Sequence, residues 1–466
     1  MFSPSINRIL AALLLACVSG LYSAATERPS SVFIGGQTHH VQGIAYDEAA
    51  GKMYFSFTTR FLATDFDGNI VGSIDKIHGH LGAMTFDAAR RKIYASLECK
   101  DDEIGANISR KLGVAGYSVS RFYIAEIDVD AVNRMGTPQE EAIRLISVAQ
   151  AAQDYSEEVE YGGRRHKHRY GCTGIDGITI GPGFGGKGGE FLYVAYGIKS
   201  DTTRTDNDYQ ILLQYPMKDI RAGAAAQKRD KAKACAESKG KDNTEAGAAA
   251  QKHDKAKACA ESKGKEGAVA GAAAKAKKLR PQRYFIRTGN TRYGVQNLAW
   301  DAYSGLMFLA VYKGEKKQWP NYDLFAVNMN SKPRKARLEG VPYERRKMNV
   351  VELAGDGWRF KYGSMGLCPL GDGTWYIAEG GKTKVRANEG NSTDGSAEKG
   401  KIITLRTGKA VLYRWTPDAD KPFTRVSTDS PVEMVALFTP PDNLRDVGAG
   451  VFHTDGIGAL GGCTTN

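Results

Sequence analysis

The chain has 466 residues, with 64 Lys+Arg against 52 Asp+Glu, 42% hydrophobic residues, 54 Gly, 15 Pro and 7 Cys. That length and apolar content suffice for one large core or two to three small ones and exclude wholesale disorder. No heptad array, collagen repeat or polytopic membrane pattern is present, and much of the net charge of +12 falls in one segment.

Arg8, the apolar run over 9–18 and the small residues Ser23-Ala24-Ala25 read as a secretory signal peptide spanning 1–25. The run is too short to cross a bilayer. Leu14-Leu15-Ala16-Cys17 loosely resembles a lipobox, which adds lipid attachment at Cys17 as a second expectation. The mature protein is therefore expected to be secreted, periplasmic or at the cell surface, with no transmembrane segment. Removal of Cys17 leaves six cysteines, so disulfides are open to it, but no C-x-x-C or Cys/His zinc spacing occurs.

Two strand-rich parts, 30–221 and 279–466, flank an insertion. In the first part, Gly43-Ile-Ala-Tyr-Asp47 is followed by Gly51-Lys-Met-Tyr-Phe-Ser56, and Ala83-Met-Thr-Phe-Asp87 by Arg91-Lys-Ile-Tyr-Ala-Ser96. Gly177-Ile-Thr-Ile-Gly181 with Phe191-Leu-Tyr-Val-Ala195 is a looser copy. Over 222–278 the composition changes to Ala and Lys, with a 24-residue period that restarts Ala222-Gly-Ala-Ala-Ala-Gln-Lys at Ala246. This low-complexity segment carries 14 Lys+Arg and 7 Asp+Glu, hence +7 of the total charge, and has almost nothing to bury. It is expected to be helical or disordered, either a solvated loop expansion or a basic arm for anionic surfaces. No specific nucleic-acid binding is expected.

The second part resumes the pattern as Asn297-Leu-Ala-Trp-Asp301 with Gly305-Leu-Met-Phe-Leu-Ala310, and as Gly366-Leu-Cys-Pro-Leu370 with Thr374-Trp-Tyr-Ile-Ala378. Each unit is a small-residue strand, a turn and an aromatic, β-branched strand. Repeats of short antiparallel strands that cannot bury their faces alone point to an all-β propeller. Five repeats are complete. A sixth innermost strand, Asp455-Gly-Ile-Gly-Ala-Leu460, would need Ser31-Val-Phe-Ile-Gly35 to complete its blade, and six blades are favoured over five.

These blades resemble the six-bladed regucalcin/gluconolactonase and TolB-like group. More closely, the chain is similar to uncharacterised bacterial exported propellers through the runs His40-Val-Gln-Gly-Ile-Ala, Gly79-His-Leu-Gly, Gly174-Ile-Asp-Gly, Asp201-Thr-Thr-Arg-Thr-Asp-Asn-Asp-Tyr209 and Tyr293-Gly-Val-Gln-Asn. The resemblance implies the fold and leaves the reaction open. The metal site of gluconolactonases does not map onto this chain residue by residue.

Registering the repeats places His40, His80 and His453 at one equivalent position, three residues before the innermost-strand motif. Two residues later stand Gln42, Asp176, Gln296 and Asp455. Three imidazoles with carboxylates at one channel mouth would suit a divalent cation, with Asp176 or Asp455 as further ligand or general base. Structural pairing of the same polar groups is the competing expectation. Arg169-Tyr170-Gly171, Arg292-Tyr293-Gly294 and Lys361-Tyr362-Gly363 precede three inner strands and combine charge with a flat hydroxyl-bearing ring, as a polar or anionic ligand requires. The loop holding Asp201, Asp206, Asn207 and Asp208 is rich enough in oxygen to hold calcium, without the spacing of an EF-hand. No Gly-x-Ser-x-Gly elbow or zincin helix is present. Two functions follow as expectations: an exported propeller binding a small polar or anionic ligand or a protein partner, or a metal-dependent lactonase- or esterase-like hydrolase.

Overall fold

The computed structural model describes residues 28–222, 279–386, 402–417 and 421–426. The segment expected to be a signal peptide, the insertion beyond Ala222, His453 and Asp455 lie outside the described residues. After β1 (Ser31–Gln37), strands β2 (Val41–Asp47), β3 (Lys52–Phe57), β4 (Arg60–Thr64) and β5 (Ile70–Ile74) form an antiparallel sheet in chain order. A second sheet repeats it with β6 (His80–Asp87), β7 (Lys92–Cys99), β8 (Arg121–Asp128) and β9 (Ile143–Ser147). The hairpin β10 (Glu158–Tyr161) and β11 (Arg164–Lys167) precedes the third sheet, β12 (Cys172–Gly183), β13 (Lys187–Ile198), β14 (Tyr209–Pro216) and β15 (Gln282–Arg287). The fourth consists of β16 (Arg292–Asp301), β17 (Leu306–Tyr312) and β18 (Leu324–Asn328). β19 (Arg334–Ala336) and β20 (Met348–Val351) then cross back, β20 pairing parallel to β15 on the third sheet. The fifth contains β21 (Leu367–Pro369), β22 (Thr374–Arg386) and β23 (Ile402–Trp415), with β1 and β24 (Phe423–Arg425) both on β23.

These sheets are the blades of a β-propeller. Alternate residues of each strand face opposite sides, and here both sides are buried because every blade lies between two others. Phe55 thus packs in the cluster shared with blade five, and the adjacent Tyr54 in the cluster shared with blade two. Tyr193 and Leu192 divide in the same way between blades four and two. Five hydrophobic clusters result, one for each junction around the ring, including one that joins Tyr376 and Leu412 of blade five to Ile44 and Met53 of blade one. The innermost strands approach closely enough that a Cβ at Gly43 would lie 2.9 Å from the Met84 nitrogen of the next blade.

The motif aspartates lock the ring. Asp47 accepts hydrogen bonds from the Ala50 N–H (3.1 Å) and the Tyr54 hydroxyl (3.0 Å), and Arg91 of blade two reaches it at 2.8 Å. Asp87 is bridged in turn by Arg221 at 3.0 Å.

Among the described residues the blades number five, against the six favoured from sequence. The proposed sixth inner strand lies outside the described residues, and Ser31–Gln37 pairs with β23 of the fifth blade rather than completing a sixth. Cys99, Cys172 and Cys368 are free thiols.

Candidate functional site

The inner strands of all five blades start at one face of the ring, and the second strands end there. A cavity of about 700 Å³ opens between them. On its floor, Gln42 of β2 directs its Nε2 at the Nε2 atoms of His40 (3.2 Å) and His80 (3.3 Å). Burial, followed by the neighbouring Lys100 and His40 charges, lowers the His80 pKa to about 3, and burial with Arg406 lowers that of His40. Both rings are therefore neutral at neutral pH, each accepting through Nε2 and carrying its proton on Nδ1.

Asp176 projects from β12 toward β6, where Gly82 leaves it room: a Cβ there would sit 2.2 Å from Asp176 Oδ1. The Ala83 N–H donates to that oxygen at 3.3 Å. Burial and then the charge of Glu98 push the Asp176 pKa well above the carboxylate range. The upward shift favours the neutral form of the carboxyl, while Oδ1 still accepts from the backbone. Glu98 accepts from the Ile175 N–H at 2.7 Å and pairs with Lys100 at 3.2 Å. Burial opposes the Lys100 charge, but Glu98 and Asp102 outweigh it and raise its pKa. Asn297 braces the ring by donating to the carbonyls of Gln42 and Ser364, each at 3.0 Å.

Charges of both signs line the cavity, with Lys313, Glu315 and Asp323 beside Arg292 and Lys361. Arg292 lies over the Tyr293 ring at 5.4 Å and Lys361 over the Tyr362 ring at 4.8 Å, and neither forms an ion pair among the described residues. Tyr293 is held at φ +67°, a left-handed conformation costing a non-glycine residue about 1–3 kcal/mol, and its ring stays 46% exposed.

Of the residues singled out from sequence, His40, Gln42, His80, Asp176, Arg292, Tyr293, Gln296 and Lys361 line this one cavity. Two tyrosines do not. Tyr170 shares the left-handed turn but is 1% exposed, packing at the edge of blade three with its hydroxyl donating to Glu344 at 2.7 Å. Tyr362 is half-buried against Phe360 and the blade-four/five cluster. Sequence reasoning missed Glu98, Lys100 and Tyr312, which also line the cavity. They stand at the ends of second strands, where the runs Leu97-Glu-Cys-Lys100 and Val311-Tyr-Lys313 turn polar after the repeated motif has finished.

One other expectation changes. The oxygen-rich loop already holds a cation: Lys316 Nζ donates to Asn207 Oδ1 (2.8 Å), Asp208 Oδ1 (2.5 Å) and the Arg204 carbonyl (2.6 Å). Near this loop, Arg165 meets Glu160 at 2.8 Å and Arg169 meets Glu157 at 2.5 Å. Among the described residues no three His, Cys, Asp or Glu side chains are grouped to hold a metal ion. The two floor imidazoles face the Gln42 amide, and the third histidine expected with them, His453, lies outside the described residues.

Neither a protein-family model nor a curated protein matches the chain. Solved structures similar to it include a gluconolactonase from Xanthomonas campestris, with 9% identity, TM-score 0.31, and coverage of 81% of this chain and 87% of that one. The Cps50 (Swd1) β-propeller domain of Myceliophteria thermophila gives 6% identity and TM-score 0.27 over 80% and 97% of the two chains. A match to the Dos1 propeller, at 9% identity and TM-score 0.21, covers 39% of this chain and only 33% of that one. At such identities the likeness concerns fold alone.

Proposed function

We propose that this protein is an exported propeller that binds a small polar anion in its axial cavity without transforming it. The supporting observation is the pair of rim cations, Arg292 and Lys361, which form no ion pair among the described residues and stand above a floor of neutral imidazoles and amides. Guanidinium and ammonium groups supply charge, the floor supplies uncharged hydrogen bonds, and Tyr293 supplies a flat face. A concave cavity of about 700 Å³ matches a small ligand in size. Calorimetric titration with gluconate, citrate and inorganic phosphate tests this reading. At least one should bind, and Arg292→Ala/Lys361→Ala should weaken it by at least about tenfold, the loss of one charge-assisted contact. Absence of heat with all three, or unchanged affinity in the variant, overturns the proposal.

The hydrolase alternative uses the same floor, with His40, His80 and His453 as ligands to a divalent metal ion. It requires the Gln42 amide to leave the two Nε2 atoms that it now faces. One divalent ion per chain in protein purified without chelator, lost in His80→Ala, would establish that alternative and displace the binding-only reading.

A further inference from the structure

The main cavity adjoins an open side chamber of about 270 Å³ with which it shares His40 and Tyr312. The far wall of that chamber is the hairpin of β22 and β23, which runs on past the blade on the mouth side of the ring. Lys382 and Arg406 line the chamber and stand directly opposite each other in the β22–β23 register. Lys384, two residues further along β22 and exposed, continues the same face of the sheet. Like charges placed across a strand pair destabilise a sheet unless something neutralises them, and no carboxylate among the described residues pairs with Lys382 or Arg406. Gly380 and Gly381, also on the wall, contribute no side chain that would close the passage.

Positive charge is thus repeated in two adjoining compartments, first at Arg292 and Lys361, then at Lys382 and Arg406. Tyrosine rings accompany it: Tyr293 at the rim and Tyr312 at the junction. We propose that the anion is one end of a chain, an oligosaccharide of uronate residues, with one sugar carboxylate at Arg292/Lys361 and later ones at Lys382/Arg406. This inference rests on the anion-binding reading above. Regular carboxylates meet the repeated cations, while ring faces and hydroxyls meet the tyrosines and the neutral floor, which a polyglutamate chain would leave unused. The second compartment adds affinity only for a ligand long enough to reach it.

Calorimetry with galacturonate, tetragalacturonate and hexaglutamate on the full chain tests the assignment. Tetragalacturonate should bind at least about tenfold tighter than galacturonate, and Lys382→Ala/Arg406→Ala should bring it down to the monosaccharide's level while leaving galacturonate unchanged. A Lys382→Gln/Arg406→Gln variant with the parental melting temperature gives the same comparison should the alanine pair fold poorly. Equal affinity for mono- and tetrasaccharide, or hexaglutamate binding as tightly as the tetrasaccharide, overturns the inference. If neither uronate binds but citrate or phosphate does, the inference fails while the anion-binding function stands. If nothing binds, both fail.

Discussion

Tyr170 and Tyr293 occupy the same Arg-Tyr-Gly triplet and the same left-handed backbone, yet one is a core residue and the other a rim residue. The difference lies in what approaches them. Tyr343 and Glu344, on the crossover between blades four and three, cover Tyr170, and the Tyr343 hydroxyl accepts from the Tyr170 N–H at 2.9 Å. Glu344 is the anchor of that cover. Burial alone would push its carboxyl up, but hydrogen bonds from Arg346 and Tyr170 hold it down at about 2, against an ordinary 4.5. A depressed carboxylate contributes stability above its unfolded value and loses it as the pH falls through its folded value. The contribution is therefore full above pH 4.5 and fades toward pH 2. Glu344→Gln should lower stability at pH 7 by about 1–3 kcal/mol, the cost of losing hydrogen bonds to a charged group. Urea midpoints at several pH values check this: the gap between parent and variant should narrow through that window, and a constant gap would refute the linkage.

At the scale of elements, legibility follows the strength of the local pattern. The motif strands β2, β3, β6, β7, β16 and β17 are evident from sequence because two-sided burial demands long apolar runs with small residues where the inner strands crowd. β19 and β20 were not, since Arg334–Ala336 and Met348–Val351 are too short to show a period, and their parallel return to β15 is decided only by the exposed edge of blade three. The insertion stands out by composition, and the strands around it now show why it is tolerable. β14 and β15 pair from Tyr209↔Arg287 down to Gln214↔Gln282, so the segment joins them at the end of the blade away from the cavity. Replacing 223–278 by a short Gly/Ser link should leave anion binding unchanged. Because each halving of a loop returns about 0.6 kcal/mol, the shorter loop should raise stability by roughly 1–2 kcal/mol. Melting and calorimetry of the deletion variant measure both, and a large drop in melting temperature would show that the segment helps to hold the blade.

On the whole-molecule scale, the radial arrangement brings residues separated by more than 300 positions to one opening, which is why only part of the site was readable. Equivalent repeat positions identified His40, His80 and Gln42, and Lys100 follows Ser96 by four residues as Arg60, Lys199 and Lys382 follow Ser56, Ala195 and Ala378, but Glu98 has no acidic counterpart, and only the packing of blade two on blade three sets it beside Asp176. Closure itself depends on β1. The first described strand is added to the outside of the last blade, while the next strand, β2, begins the first, so Ile34 packs in the cluster between blades five and one. In a closed ring each blade supplies a face to both neighbours, and opening any junction exposes apolar surface on two blades at once. Unfolding should accordingly be a single cooperative event, and a lesion at the closing strand should be felt everywhere. Ile34→Ala should cost about 2–4 kcal/mol, and hydrogen-exchange mass spectrometry should record the same loss of protection in β7 of blade two as in β17 of blade four. Loss confined to β1, β22 and β23 would mean that blade five opens by itself and that the ring does not unfold as one unit.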